Sequence, residues 1–352
     1  MTLSPLAITP LVRPPLSHPP LSHQVLWRLA LGSALALPAC NPSHPELTEP
    51  LAEESPRQVS LPGQEIFPEG ITVDRSGSLY VGSMTQGTIF RAEAGAEQAE
   101  AFIDNVGAGV IGLLADDDRD LLWVCQSNPL NSQTPPSVMA YGLAEGDLRS
   151  THAFPGDAGL CNDITLDSEG NVYVSDSFGH RILRIPAPGV ERDGVAETWL
   201  DDPQLEVPEG TFGVNGLVVD DGALFVVLYE TGRLLEAPLL ASGQPSAVTE
   251  VELERPLSRP DGMKRESGGS LLVVEGGEGR LSRLEVGRRS EGPVAVEPVL
   301  ETLDSPTTVA LHEQRAWVVV SQFDHLFGVD PSPASAPFFV VGYPLADRRQ
   351  GE

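Results

Sequence analysis

Short apolar runs separated by Gly- and Asp-rich turns recur along most of this chain, and they alternate with a period near two. The clearest copy is Cys161 to Ile185, CNDITLDSEGNVYVSDSFGHRILRI. It predicts a strand over Asp163 to Leu166, a tight Asp-Ser-Glu-Gly turn, a strand over Asn171 to Ser175, a polar loop and a third strand from Arg181. The unit returns as PEGITVDRSGSLYVGS from Pro68, IGLLADDDRDLLWVCQS from Ile111 and VNGLVVDDGALFVVLYE from Val214. RPDGMKRESGGSLLVVEGG from Arg259 and SPTTVALHEQRAWVVVSQ from Ser305 complete the series. Six copies spaced roughly 42 to 53 residues apart predict an all-β, six-bladed β-propeller of four-stranded antiparallel blades around a central channel. Helical periodicity is almost absent. The strands are near-continuous Val, Leu and Ile runs, as blades buried on both faces require.

The repeats place the propeller at residues 64–345, with a short tail at 346–352. FFVVGY near the C-terminus reads as the outer strand of blade six; Gln58 to Leu61 is the alternative closing strand, and the sequence leaves the two open. The insertion SNPLNSQTPP, Ser127 to Pro136, is longer than a hairpin needs, and its three prolines suit a rigid flap over one face.

Ahead of the repeats the pattern changes. Leu26 to Cys40, LWRLALGSALALPAC, is apolar, too short to span a bilayer, and ends in small residues like an export signal. Leu37-Pro38-Ala39-Cys40 resembles a bacterial lipobox, which gives residues 1–40 as a signal peptide and Cys40 as the lipidated mature N-terminus. The expected location is therefore the periplasm or cell envelope, with membrane contact only through the lipid. Residues 1–24 are long for a signal n-region, so translation starting near Val25 is an alternative. Residues 41–63, rich in Pro, Glu and Ser, read as a flexible tether. In an oxidising compartment Cys125 and Cys161, at strand ends on one face of adjacent blades, are either a disulfide or two buried thiols.

Charge excludes one class of partner. With 22 Lys plus Arg against 50 Asp plus Glu, the formal net charge is −28, which repels nucleic-acid phosphates and keeps the chain soluble. A monomer acting on a small molecule is the simplest expectation.

Candidate chemistry comes from aligning the six copies at the start of the first strand. The column reads Glu69, Ile111, Asn162, Asn215, Asp261 and Pro306. Innermost propeller strands run the same way, so their starts converge on one mouth of the channel. Asn or Asp at any single loop-to-strand junction is ordinary turn chemistry. Four oxygen-bearing side chains around one axis, two of them acids, repel unless a cation or proton lies between them. A hard divalent ion fits, Ca2+ first and Mg2+ or Mn2+ next, since no Cys or His joins the set.

Pro68-Glu69-Gly70, Asn162-Asp163, Asn215-Gly216 and Arg259-Pro260-Asp261-Gly262-Met263 resemble the senescence marker protein (regucalcin) and gluconolactonase family, and more distantly the paraoxonases. The resemblance covers all six blades. It implies a divalent metal held by Glu69, Asn162, Asn215 and Asp261, hydrolysis of a lactone or small ester, and Asp261 as general base. Blade two lacks the His pair that paraoxonases carry. Residues 161–186 also resemble an NHL repeat, a propeller unit often used only for binding, so a non-catalytic ligand- or envelope-binding propeller is the alternative. Asp176, Glu230 and Glu275 at second-strand ends, with His180 and His325 in top loops, are the further rim candidates. No Gly-x-Ser-x-Gly elbow, P-loop or Cys-x-x-Cys pair is present.

Overall fold

A computed structural model of the chain describes residues 55–130, 134–156, 158–240, 243–286 and 292–346. The expected signal peptide, Cys40, most of the tether and all but the first residue of the tail lie outside the described residues. Six antiparallel sheets form the propeller. Blade one comprises Pro68–Val73, Leu79–Ser83, Ile89–Ala92 and Glu100–Ile103, counted outward from the axis. Blade two has Val110–Asp116, Leu121–Gln126, Ser137–Gly142 and Leu148–Ala153, with Gly194–Val195 added in parallel at its edge. Blade three is Cys161–Leu166, Val172–Asp176, Arg181–Ile185 and Glu197–Leu200; blade four is Val214–Asp220, Ala223–Leu228, Leu234–Pro238 and Thr249–Val251. Blade five is Pro260–Arg265, Leu271–Glu275, Arg280–Leu284 and Val296–Leu300.

Blade six resolves how the ring shuts. Its inner strands are Pro306–His312 and Arg315–Val320, its third is Phe338–Pro344, and its outermost is Arg57–Leu61, antiparallel to Phe338–Pro344. FFVVGY is thus the third strand and not the outer one, and the propeller starts at Arg57, inside the stretch read as tether. Val59 and Leu61 are buried, so this N-terminal strand is part of the core. Pairing the first strand of the domain with the last covers an edge that would otherwise be open.

Alternation explains the packing. The second strands LLWVCQ, ALFVVL and LLVVE are buried along their whole length because each blade is sandwiched between two others. Six buried clusters follow, one at each blade junction. The one between blades two and three holds Trp123, Ile164, Val174 and Leu183 and is crossed by the Cys125–Cys161 disulfide, Cα–Cα 5.2 Å. The hairpin turns follow their sequence. In blade three Asp167 accepts from the Glu169 and Asn171 N–H groups at 2.9 Å, and Gly170 takes the left-handed φ of +83° that the turn requires.

Candidate metal centre

The innermost strands share one irregularity. In each, the first residue pairs with the end of the second strand, two residues stay out of the ladder, and pairing resumes at the fourth. The breaks fall at Pro68/Ile71, Val110/Leu113, Cys161/Ile164, Val214/Leu217, Pro260/Met263 and Pro306/Val309. Such bulges re-aim side chains. The entry is pinned the same way six times. The carbonyls of Phe67, Gly109, Leu160, Gly213, Arg259 and Ser305 accept the N–H of Met84, Ser127, Ser177, Tyr229, Gly276 and Ser321.

The two unpaired residues have different tasks. The first of each pair is Glu69, Ile111, Asn162, Asn215, Asp261 or Thr307. This corrects the sequence alignment in blade six, where Thr307 and not Pro306 holds the position. Its hydroxyl donates to the Glu69 carbonyl at 2.8 Å, joining the last blade to the first. The second is Gly in four blades because the next blade's backbone lies against it. A Cβ on Gly70 would sit 1.9 Å from the Ile111 carbonyl oxygen, on Gly112 2.2 Å from that of Asn162, and on Gly216 2.2 Å from that of Asp261. Blade three places Asp163 there instead. Its Oδ1 accepts from its neighbour Ile164 N–H at 2.9 Å and its Oδ2 from Leu217 N–H of blade four at 3.3 Å.

The four oxygen-bearing residues meet as expected from their column. Glu69, Asn162, Asn215 and Asp261 all line one axial cavity of about 10 Å3, room for a single water-sized occupant, together with Asp163. Glu69, Asn162 and Asn215 are buried and Asp261 is partly so. Burial first, then the Asp261 and Asp163 carboxylates, push Glu69 well above the usual carboxylate range, against a smaller pull from the Lys264 ammonium. Burial and then Asp163 push Asp261 up to about 8, although the Asn215 amide donates to it. Lys264, the only lysine in the chain, reaches Asp163 at 3.6 Å and is the one cation facing this cluster among the described residues.

A divalent cation fits these residues on two counts. Asn215 Oδ1 is buried with no hydrogen-bond partner, an arrangement that costs stability unless something else takes up the lone pairs. Asp261 and Asp163 raise the proton affinity of Glu69, and Asp163 raises that of Asp261, which a positive charge among them would reverse. Among the described residues no three His, Cys, Asp or Glu side chains converge closely enough to hold an ion alone. The donor set is two carboxylates with two amides, a mixture of oxygens suited to Ca2+.

Of the rim candidates, two are consumed elsewhere. Asp176 is fully buried and accepts from Leu160 N–H, Gly179 N–H and Arg181 Nε, each at 2.9 Å. Glu275, also fully buried, takes a two-pronged contact from Arg255 at 2.7 and 2.8 Å and accepts from Ser258 N–H at 2.8 Å. Burial opposes its charge, yet the Arg255, Ser282 and Ser258 hydrogen bonds outweigh that and hold it below the ordinary carboxylate range. His180 Nδ1 lies 3.1 Å from Glu206, and His325 Nδ1 2.9 Å from the Ser332 carbonyl; neither lines the axial space. Glu230 is exposed, whereas its neighbour Tyr229, missed in the sequence, lines the site. Burial and then Asp261 push the Tyr229 phenol up to about 12.

Above the ring the space widens to a cavity of about 90 Å3 that still touches all four donors. Pro129, near the start of the blade-two insertion, forms part of its wall. Phe212, Phe323 and Phe327, with Met84, Ile111, Leu160 and Tyr229, form the rest, Phe323 from the short helix Phe323–Leu326.

A family model described as a beta-propeller repeat matches residues 57–91, which span the closing strand and most of blade one. No curated protein sequence matches the chain. Among solved structures, a gluconolactonase from Xanthomonas campestris is similar at 15% identity and a TM-score of 0.56, covering 80% of this chain and 87% of its own. A luciferin-regenerating enzyme is similar at 14% identity and a TM-score of 0.57, covering 80% and 92%. A virginiamycin B lyase from Staphylococcus aureus is similar at 16% and a TM-score of 0.52, covering 83% and 99%. At identities this low the likeness is one of fold, and the fold is a six-bladed β-propeller.

Proposed function

We propose that this chain is a divalent-metal-dependent hydrolase of a lactone or small ester, with Glu69, Asn162, Asn215 and Asp261 holding a Ca2+-type ion. The observation that carries this reading is the buried, unpartnered Asn215 Oδ1 beside two carboxylates whose proton affinity neighbouring acids raise, at the floor of an open cavity. A bound divalent ion supplies positive charge that polarises a carbonyl and stabilises the oxyanion formed when water adds to it. The chain's own residues do the rest. Asn215 donates its amide N–H to Asp261 and so fixes which way that carboxylate faces. Asp261 takes the proton from the attacking water at its free carboxylate oxygen, and the proton passes to the leaving alkoxide as the carbonyl–alkoxy bond breaks. Apolar side chains in the cavity wall lower the local polarity and strengthen these charges.

A lactone and aryl-ester panel, assayed after EDTA and again with Ca2+ restored, tests the proposal. Turnover lost with the ion and regained with it is the expected result; no turnover of any substrate by ion-loaded protein would contradict it. One observation favours the binding reading in that case: with Asp176 and Glu275 tied up and both rim histidines bonded elsewhere, the acids and bases beside Asp261 in the cavity are only its fellow donor Glu69 and the Tyr229 phenol. We further propose export as a monomeric lipoprotein acylated at Cys40, which radiolabelled palmitate incorporation and its loss in Cys40→Ala would test.

A further inference from the structure

The wall above the ion site points to a substrate class. Of the six positions that ring the axis, four carry oxygen donors, Thr307 spends its hydroxyl on the Glu69 carbonyl, and blade two supplies Ile111. Over this ring stand Leu160, Phe212, Phe323 and Phe327, and the Tyr229 hydroxyl is the one polar tip among them. The aromatic rings form two packed groups. Phe212 lies 5.2 Å from Phe178 and 5.8 Å from Tyr229, and Phe323 lies 5.5 Å from Phe327, centroid to centroid. Neither group stops at the cavity mouth: Phe178 is 42% exposed and Phe327 39%, so each extends the apolar cavity wall toward the surface as a strip.

Resting on the proposed hydrolysis at the axis, we infer that the substrate is a lactone or ester whose non-reacting part is hydrocarbon, an alkyl chain or a phenyl ring, and not a polyhydroxylated sugar lactone. A sugar lactone would turn several hydroxyls toward Leu, Ile and Phe side chains, and each one left unpaired costs about 1–3 kcal/mol. An alkyl chain of any length past the ring gains from every methylene it buries, first in the cavity and then along the exposed strip.

The test uses the full mature chain loaded with Ca2+ and a series of γ-butyrolactones bearing methyl to octyl groups at C4, with glucono-δ-lactone alongside. Both kcat/KM and calorimetric affinity are measured. The expected result is a rise of about three- to fourfold per methylene until the strip is covered, with the sugar lactone at least tenfold below the octyl compound. Phe212→Ala and Phe327→Ala should flatten the slope to under twofold per methylene while still binding Ca2+, which shows that they are folded. A flat slope in the unaltered chain, or preference for the sugar lactone, overturns the inference. If nothing is turned over, the hydrolytic reading fails by itself; the affinity slope still decides for or against a hydrocarbon-binding site.

Discussion

At the scale of single residues, the site separates into groups that meet the axis and groups that only hold blades together. Glu275 is of the second kind although it ends a strand at the same height as the donors. Glu275→Gln should therefore lower stability by about 2–3 kcal/mol in urea unfolding at pH 7 and leave Ca2+ affinity unchanged. The sign of its pH dependence follows from its lowered pKa. The stabilisation is fully present above the unfolded value of about 4.3 and is lost as pH falls through the folded one. Loss of Ca2+ binding in Glu275→Gln would return that carboxylate to the site. Lys264 acts in the opposite sense. Its ammonium draws Glu69 toward the charged form and lies 3.6 Å from Asp163, but it also repels a cation at the axis. Lys264→Gln should tighten Ca2+ binding roughly tenfold, read by calorimetry. Weaker binding in that variant would mean that Lys264 positions Asp163 more than it opposes the ion.

At the scale of the strand, the donors face inward because of a repeated bulge and a backbone contact, and both can be broken. Gly112→Ala places a Cβ 2.2 Å from the Asn162 carbonyl, so it should cost about 2–3 kcal/mol and weaken Ca2+ binding by displacing Asn162. Unchanged binding would show that the ring tolerates a shift there. The Cys125–Cys161 bridge joins neighbouring blades one residue before Asn162 and closes a 36-residue separation. Replacing both cysteines by Ser should lower stability by about 4 kcal/mol on the loop-entropy account. Much of this level was legible beforehand. The Glu, Asn, Asn, Asp column emerged by aligning repeats on the Gly that follows each donor except Asn162, and the cysteines fell at matching strand ends. Blade six slipped by one because Thr307-Thr308 offers no glycine to align on. Asp163 stood in a column of glycines, and Lys264 was the lone lysine of 352 residues, so both signals were present in the sequence. Phe212, Phe323 and Phe327 had none, since they sit in connections outside the repeated strands, Phe323 in a short helix, and only the closed ring brings them over the axis.

At the scale of the whole molecule, closure decides whether distant donors meet at all. The final pairing joins Arg57–Leu61 to Phe338–Pro344, a contact no local pattern could specify, and for that reason the sequence left two closing strands open. Charge acts at this scale as well. Because the folded Asp261 value of about 8 lies far above its unfolded one, metal-free protein holds that group's contribution only at low pH. Its melting temperature should fall as pH rises from about 4 toward 8, and Ca2+ should recover it most at the alkaline end. Equal melting curves with and without Ca2+ at both pH values would deny any such linkage. The most direct test of the axial ion is calorimetric titration of Ca2+ into the EDTA-stripped protein at pH 8. One ion per chain with a micromolar or tighter Kd, abolished in Glu69→Gln and Asp261→Asn, is the predicted result. No saturable heat, or binding that survives both substitutions, would contradict an ion held by these four side chains.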